Sequence, residues 1–396
     1  MIGPLKLALK YVRFHKYKSL ILIACIFLTA LLPVTVKLLV WQFNQKIVFR
    51  ADSTPAVIGS TGSSLDLALS TLYFRAGGVE PIPFGEVTRI RESNLAQAIP
   101  IHAMFTARDF PVVGTSLEYF DFRDLAIQSG SLFTTLGDCV VGCDVAAKLG
   151  LRSGDQIISD RDNALDLAGQ SPLKLTVTGV LAQSRSPDDL AVFVDLKTAW
   201  VIQGLGHGHQ DLTKEKQDSD ILLSRSDGKI VANKGVASYI EITPENIGSF
   251  HFHGDTADFP VTSIIAVADS IKDETILQGR YDSGERDVQF AKPGEVVRDL
   301  MSMVFRVNRV FDANAVLIGV STLFMLVLVV LLSLRLRKRE METMFKIGCS
   351  RSTMAMLQVG EMAIIFGAAG VLLGFAVWGV WSISGGLVES LLVSLD

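Results

Sequence analysis

The sequence lacks the residue patterns that mark most catalytic and nucleotide-binding proteins. It contains no G-x-x-x-x-G-K-[ST] phosphate loop, no G-x-S-x-G nucleophile elbow and no H-E-x-x-H metal-binding pair. Its four cysteines are too few for a disulfide scaffold. Charged residues make up only 20% of the chain, and no basic stripe points to nucleic acid. These absences argue against an enzyme, against ATP binding by this chain and against a nucleic-acid partner.

Long apolar runs are what the sequence has in quantity. Hydrophobic residues make up 49% of the chain, and the runs 20–36, 315–334 and 362–383 carry no charged residue. A helix of about 20 residues crosses the roughly 30 Å hydrocarbon layer of a bilayer, so each run predicts a membrane span. The first run has the position of a cleaved signal peptide. However, Pro33 interrupts it and no clear cleavage site follows, which favours an uncleaved anchor.

The charges beside these runs predict the orientation of the chain. Residues 1–19 hold five basic residues and no acidic one, and residues 335–351 hold six basic and two acidic ones. Basic flanks stay on the cytoplasmic side of a membrane. The N-terminus and the loop 335–361 are therefore predicted inside, with the segment 44–312 outside. Residues 4–18 also fit an amphipathic helix that lies among lipid headgroups, although a plain basic flank explains them equally well.

These features predict an α-helical membrane protein with three spans and a large α+β extracytoplasmic domain. Alternating apolar residues indicate a strand at 173–182, and a long stalk helix is predicted to begin at Pro293. In chain order the predicted parts are a cytoplasmic amphipathic basic helix 1–19, a span 20–43, the extracytoplasmic domain 44–312 with its stalk 293–312, a span 313–334, a cytoplasmic coupling loop 335–361, a span 362–383 and an extracytoplasmic tail 384–396.

The loop between the second and third spans is longer and more patterned than a connection requires. A bare turn between two helices needs about 2–8 residues. This loop begins with a basic cluster at 335–339 and continues into Lys346-Ile347-Gly348-Cys349-Ser350-Arg351. The basic cluster is explained equally well by topology, but topology requires no such pattern at 346–351. Gly348 suits a tight turn before the next helix.

This arrangement of spans, exported domain and basic loop resembles the MacB/LolC/FtsX-type permeases of bacterial ABC systems, the mechanotransmission or type VII group. Arg339-Glu340 with the run 346–351 resembles the family's R-x-x-E-I-x-x-L-R-x-L-G-A-S-R pattern, and Glu361 with Gly370 and Gly374 resembles its glutamate-then-glycines pattern. The family typically has four spans per subunit, one more than is counted here. Short matches to the family's periplasmic core are VVGT at 112–115, VVG at 140–142, VTGV at 177–180 and VFV at 192–194.

The resemblance implies a non-catalytic permease subunit of the bacterial inner membrane, with its large domain in the periplasm. We expect a homodimer driven by a separate ABC ATPase subunit, which binds the ATP, with a periplasmic adaptor or carrier as a further partner. The expected cargo is a lipoprotein, lipid, peptide or small amphiphile that is exported or extracted. Gly370 and Gly374 are expected to serve close helix packing. The residues expected to couple to the ATPase are Glu340, Lys346, Gly348, Ser350 and Arg351.

Four of the six histidines form two H-x-H pairs, His207/His209 and His251/His253. In an extended strand, residues i and i+2 share a face about 6.6 Å apart, a spacing at which two imidazoles converge on a metal ion. The pairs therefore predict a zinc-class site if the two segments meet. The alternative is that both pairs lie in solvated, glycine-containing loops that bind no ligand.

The histidines support a function hypothesis of a different class, an extracytoplasmic metal-binding or sensory membrane protein whose loop signals to a cytoplasmic partner. Asp211 and Asp255 lie two residues beyond the pairs and would complete such a site. A membrane-anchored enzyme is a third alternative, with no acid–base or nucleophile constellation to support it. Copurification of an ATPase with this chain would separate the permease from both.

Overall fold

The computed structural model describes residues 2–160, 172–208, 222–226, 229–232, 240–282, 287–336, 342–343 and 345–393. The chain divides into two compact units. One unit is helical and consists of residues 1–46 and 299–387. The other consists of residues 47–298 and 388–396 and holds all of the described strands. The predicted mixed α/β domain is thus present.

Long helices make up the helical unit, and short ones accompany the strands. The helices of the described residues are α1 Ile2–Phe14, α2 Lys16–Asp52, α3 Ser64–Tyr73, α4 Gly85–Ser93, α5 Glu118–Phe122, α6 Cys143–Leu149, α7 Leu196–Gln203, α8 Ile271–Asp282, α9 Pro293–Leu336 and α10 Arg351–Val393. Helix α9 starts at Pro293, as predicted. Helix α6 ends at Gly150, whose φ is +69°.

Two of these helices are long and apolar enough to cross a membrane. They are α2 and the part of α10 from Arg351 to Ser382, whose mean hydropathies reach 2.6 and 2.2. Within the described part of α9 the comparable apolar stretch is the shorter Val316–Met325, so the predicted span 313–334 is not confirmed. Among the described residues, two candidate spans are therefore found where the sequence predicted three.

The long helices extend past the predicted span boundaries. Helix α2 continues through Pro33 to Asp52, beyond the predicted end at 43. Helix α10 begins inside the predicted loop, at Arg351, and continues past 383 to Val393. The adjacent glycines 385 and 386 do not end it, because a glycine costs a helix only about 1 kcal/mol relative to alanine. The predicted tail 384–396 is therefore helical as far as it is described.

The strands of the α+β unit are mostly short. They are β1 Ala56–Ser60, β2 Ile82–Pro83, β3 Ala96–Ala107, β4 Phe110–Thr115, β5 Ile127–Gly130, β6 Asp138–Val141, β7 Gln156–Ile158, β8 Leu173–Leu181, β9 Val192–Asp195, β10 Gly206–His207, β11 Leu222–Ser226, β12 Lys229–Ala232, β13 Ile240–Glu241, β14 His251–Phe252, β15 Pro260–Val261, β16 Ser263–Ala268 and β17 Val288–Ala291. Strand β8 confirms the strand predicted at 173–182.

One mixed sheet organises the α+β unit, in the strand order β13-β8-β6-β9-β4-β3-β16-β1-β17, with β5 and β7 also paired to β8. The pairs β4–β9, β6–β8 and β8–β13 are parallel, while β3 pairs antiparallel with both β4 and β16. A small separate ladder joins β10 to β14. That ladder brings together two segments that are far apart in sequence.

Both faces of the central sheet are covered. In β9, Val192 and Val194 pack in one apolar cluster while Phe193, between them, packs in another on the opposite face. Adjacent Val112 and Val113 of β4 divide in the same way. Strands buried on both faces have continuous apolar runs rather than alternation. The central strands of the sheet are therefore packed against apolar side chains on both faces.

Candidate functional site

The last turn of α2 carries a buried arginine that binds a buried aspartate. Arg50 donates from Nη1 to Asp188 Oδ2 at 2.7 Å and from Nη2 to Asp188 Oδ1 at 3.0 Å. The Tyr119 hydroxyl donates to Asp188 Oδ1 at 2.6 Å and accepts from Arg50 Nη2 at 3.1 Å. Arg50 Nε also donates to the carbonyl of Leu72 at 2.7 Å. We call Arg50, Asp188 and Tyr119 the helix anchor.

The helix anchor keeps its charges although water is excluded from it. Arg50 is 6% exposed and Asp188 1%. Burial by itself raises the pKa of Asp188, but attraction to Arg50 and the hydrogen bonds from it outweigh burial and bring the pKa to about 2. Burial raises the pKa of Tyr119 above its usual value, so its hydroxyl keeps the proton that it donates. A two-pronged, fully hydrogen-bonded pair is the geometry in which a buried ion pair is stable.

The turn that presents Asp188 is fixed by its own hydrogen bonds. The Asp189 carboxylate accepts from the backbone N–H groups of Ser184 and Arg185 at 2.9 and 2.6 Å. Gly142 lies against this turn, and a Cβ at position 142 would be 2.3 Å from the Asp189 carbonyl oxygen. No larger residue fits there without moving the turn. Gly142 therefore supports the helix anchor from behind.

Two further contacts hold the same end of α2. Arg123 Nη2 donates to Thr54 Oγ1 at 2.8 Å, just beyond the end of the helix. Arg298, near the start of α9, pairs with Asp52 at 2.9 Å. The Arg298 and Asp52 side chains are 59% and 45% exposed, so this pair contributes less than the buried one. The end of α2 and the start of α9 are thus bound to each other within the α+β unit.

The predicted coupling loop forms a turn and a helix cap. Gly348 has a φ of +101°, the left-handed conformation that the sequence suggested for a tight turn. Ser350 caps α10, because its Oγ accepts from the backbone N–H of Thr353 at 3.2 Å. The Arg351 guanidinium lies over the Phe345 ring, 5.8 Å from its centroid. Lys346 is exposed, and Glu340 lies outside the described residues.

The predicted helix-packing glycines lie on an exposed face of α10. Apart from the adjacent residues and the backbone of α10 itself, no atom of the described chain comes within 4 Å of a Cβ built at Gly370 or Gly374. Phe375 and Trp378 on the same helix are 67% and 66% exposed. Close packing at these glycines therefore stays a prediction, and it would have to involve a partner outside the described residues.

The other end of α2 carries a second ion pair, in the helical unit. Lys18 Nζ lies 3.6 Å from Glu361 Oε1 of α10. The Glu361 side chain is 2% exposed and the Lys18 side chain 31%. Glu361 continues a buried stripe of α10 that includes Leu357 and Ile365. The glutamate noted in the sequence is thus a buried group that ties α10 to α2.

Three of the four predicted metal-ligand histidines come together. The ligand nitrogens of His207, His251 and His253 all lie within 4.8 Å of one another. The β10–β14 ladder places His207 directly opposite His251. His209 lies outside the described residues, as does Asp211. The Asp255 carboxylate instead caps the short turn that follows, accepting from the backbone N–H of Ala257 at 2.9 Å.

Sequence reasoning missed the helix anchor altogether. Arg50 and Asp188 are 138 residues apart, and no local pattern joins them. The available signals were indirect: an arginine at the end of a long apolar helix, and the Ser-Pro-Asp-Asp sequence at 186–189, which has the residues of a capped turn.

Comparison with protein families identifies the chain. The family described as MacB-like periplasmic core domain matches residues 22–232, more than half of the sequence. The chain therefore belongs to this family and is a MacB/FtsX-like ABC transporter permease. No curated protein matches the chain.

Two solved structures are similar to parts of the chain. The periplasmic region of MacB from Actinobacillus actinomycetemcomitans has a TM-score of 0.37 and 11% identity, and the match covers 64% of this chain and 95% of that one. The extracellular domain of the noncanonic ABC-type transporter YknZ from Gram-positive bacteria has a TM-score of 0.33 and 12% identity, with 60% and 98% covered. At these values the family assignment rests on the family match rather than on the structures.

Proposed function

We propose that this chain is the membrane subunit of an ABC transporter in which a separate ATPase drives movement of the extracytoplasmic α+β unit. The permease itself is non-catalytic, and the ATP is bound by the partner. The observation that carries this proposal, beyond the family, is the exposed turn ahead of α10, which has the composition of a docking surface.

The turn joins apolar and basic side chains on one short segment. Phe345 and Ile347 are 53% and 79% exposed, and Lys346 and Arg351 are exposed beside them. Apolar side chains next to arginine are characteristic of the centres of protein interfaces. The turn at Gly348 and the capped start of α10 fix the shape of this segment, which lowers the entropy lost on binding. An acidic and apolar groove on an ATPase subunit is the partner that such a surface fits.

The anchored helices support a mechanical role. Helix α2 is continuous from Lys16 to Asp52, and the boundary between the two units falls inside it, after Lys46. The helix anchor binds the last turn of α2 to Asp188 and Tyr119, so this turn and these residues of the α+β unit are expected to move together. Helix α9 is likewise continuous from Pro293 to Leu336. Displacement of either helix is expected to be transmitted along its axis rather than lost in a flexible joint.

The remaining parts of the proposal follow the family. We place the chain in a bacterial inner membrane as a multi-pass protein, with its N-terminus and coupling loop in the cytoplasm. Two copies pair through the exposed glycine face of α10, where Gly370 and Gly374 permit close approach. The proposed cargo is a lipoprotein, lipid, peptide or small amphiphile, delivered to or from a periplasmic adaptor or carrier.

Copurification with an ATPase tests the proposal. The tagged chain would be expressed with its native operon, extracted in mild detergent and analysed for a stoichiometric ATPase. The double variant Gly348→Pro/Arg351→Glu should lose the ATPase, because proline is incompatible with the positive φ and the charge at the docking surface is reversed.

Lys16→Glu is the matched control. It reverses the charge of one exposed basic residue in the N-terminal part of the same unit, outside the turn. This variant should retain the ATPase. Absence of any ATPase from the wild-type preparation, together with normal function of the double variant in cells, would refute the permease mechanism.

A further inference from the structure

The histidine cluster shares no residue with the permease mechanism. We propose that His207, His251 and His253 form a binding site for a zinc-class divalent cation on the α+β unit. The site is not needed for the mechanical role described above. Three observations support the site: the imidazoles converge, a hydrogen bond fixes the tautomer of His251, and the strands that carry the histidines pack on the apolar core.

Strand geometry brings the three imidazoles to one face. His207 and His251 are directly opposite each other in the antiparallel β10–β14 ladder, and opposite residues point to the same side. His253 is two residues beyond His251 and shares that side. The ring centroids are 4.9 Å apart for His207–His251, 4.9 Å for His207–His253 and 4.7 Å for His251–His253.

The nitrogen spacing is close to that of a metal site. His251 Nε2 and His253 Nε2 lie 3.1 Å apart. Two nitrogens bound to zinc at about 2.0–2.1 Å in tetrahedral geometry are about 3.3 Å apart. The ligand nitrogen of His207 lies within 4.8 Å of both. A small side-chain rotation is therefore enough to bring three nitrogens into one coordination sphere.

One hydrogen bond already sets the tautomer that a metal requires. His251 Nδ1 is 3.0 Å from the carbonyl oxygen of Ser249. A carbonyl can only accept, so Nδ1 carries the proton and Nε2 presents its lone pair towards the other histidines. Metal-binding histidines are commonly oriented in this way, with the second nitrogen donating to a backbone carbonyl. His253 Nε2 either donates to His251 or, in the tautomer that carries its proton on Nδ1, shares a cation with it.

The ladder beneath the histidines is firmly seated. Phe250 and Phe252 alternate with His251 and His253 along the chain, and both phenylalanines pack against the apolar core. The opposite strand makes room for their rings. A Cβ at Gly206 would lie 2.6 Å from Phe252, and a Cβ at Gly208 would lie 2.5 Å from Phe250. Alternation of glycine with His207 on one strand, and of phenylalanine with histidine on the other, thus sends the aromatic rings inward and the imidazoles outward.

The donor set points to a borderline transition metal. Neutral imidazole binds zinc, copper and nickel well, and binds magnesium and calcium poorly. Three histidines with a fourth position left for water or another ligand match the pattern of zinc sites that keep one position open. We therefore assign the three-histidine site to Zn²⁺.

Zinc binding by the full chain in detergent tests the proposal. The protein would carry a tag without histidines, so that the tag binds no metal. Equilibrium dialysis against buffered Zn²⁺, followed by elemental analysis, should give one zinc per chain for the wild type. The variants His251→Gln and His253→Gln should each lose more than about tenfold in affinity. Cobalt in place of zinc should give the intense visible absorption of a tetrahedral Co²⁺ site, which these variants should lack.

Two controls separate the site from general effects. His15→Gln alters a histidine of the helical unit and should keep one zinc and the cobalt spectrum. Circular dichroism should show that the site variants remain folded, and glutamine limits the change in volume. A wild type that binds no zinc, or site variants that bind it as the wild type does, would overturn the proposal.

Discussion

The two ends of helix α2 are both held by ion pairs, yet the pairs differ in kind. In the α+β unit, Arg50 and Asp188 make two short hydrogen bonds with side chains 7% and 1% exposed. In the helical unit, Lys18 and Glu361 approach only to 3.6 Å, and the lysine side chain is 31% exposed. A planar guanidinium fixes both distance and direction, whereas an ammonium fixes little more than distance. The same helix is therefore fixed at one end and allowed to shift at the other.

This difference suits a helix that transmits movement. An end that must carry its domain needs a joint that does not slip, and a buried two-pronged pair provides one. An end that responds to a partner needs contacts with less directional constraint, and a 3.6 Å pair with a partly exposed lysine provides those. Substitutions at each end of α2 in turn test this difference.

Removing Asp188 should have the largest effect. Asp188→Ala leaves the Arg50 guanidinium buried without its counter-charge, and breaking a buried pair in this way costs about 3–5 kcal/mol of unfolding free energy. Native-state hydrogen exchange of β4 and β9 in denaturant measures that loss within the α+β unit. Asp52→Ala, which removes the exposed partner of Arg298, is the control and should cost less than about 1 kcal/mol. Equal losses of unfolding free energy in the two variants would show that the buried pair stabilises the unit no more than the exposed pair does.

Acidification should affect the α+β unit well before it reaches the helix anchor. Burial lowers the pKa of His102 in β3 to about 4. As the pH falls, the unfolded chain takes up this proton first, near pH 6.5. The free energy of unfolding should therefore have its full value above that pH. It should then fall towards pH 4 by at most about 3 kcal/mol. Asp188, with a pKa of about 2, should lose its contribution only below about pH 3.8.

The variant His102→Leu separates the two groups. It should flatten the dependence of hydrogen-exchange stability on pH between 6.5 and 4, whereas Asp188→Asn should lower stability without changing that slope. A slope that persists in His102→Leu would assign the acid sensitivity to other groups.

In the helical unit, loss of the N-cap of α10 should have a moderate effect on stability. Ser350→Ala removes the acceptor for the Thr353 N–H and should destabilise the first turn of α10 by about 1 kcal/mol. Exchange of the amides at 352–354 should then be roughly fivefold faster, with the α+β unit unchanged. Met356→Ala, at an exposed position further along α10, is the control. Unchanged exchange in Ser350→Ala would mean that the turn before α10 is held by other contacts.

Much of the fold was predictable because its signals are local. Uncharged runs predicted the long helices, alternation predicted β8, and Pro293 marked the start of α9. Strand β3 is the longest of the described strands and was missed. Its sequence, AQAIPIHAMFTA, is rich in alanine and contains a proline, both of which are poor strand formers. It is a strand because β4 and β16 pair with it on either side.

The candidate sites divide in the same way. The two H-x-H pairs were visible because strand geometry relates i to i+2, but their meeting depends on the pairing of β10 with β14. Gly348 and Ser350 were visible as a turn and its neighbour. The helix anchor was not visible, because a buried arginine finds its partner through the tertiary fold and not through spacing in the sequence.

The smallest expected effect is at the Lys18–Glu361 pair, and it decides whether the two ends really differ. A double-mutant cycle of Lys18→Met and Glu361→Gln should give a coupling energy of about 0.5 kcal/mol, because the pair is long and the lysine is partly solvated. The matching cycle of Arg50→Met and Asp188→Asn should give a several-fold larger value. Both cycles can be measured by thermal unfolding in the same detergent. Equal coupling energies at the two ends would refute the proposed difference between them. Both ends of α2 would then be held equally firmly.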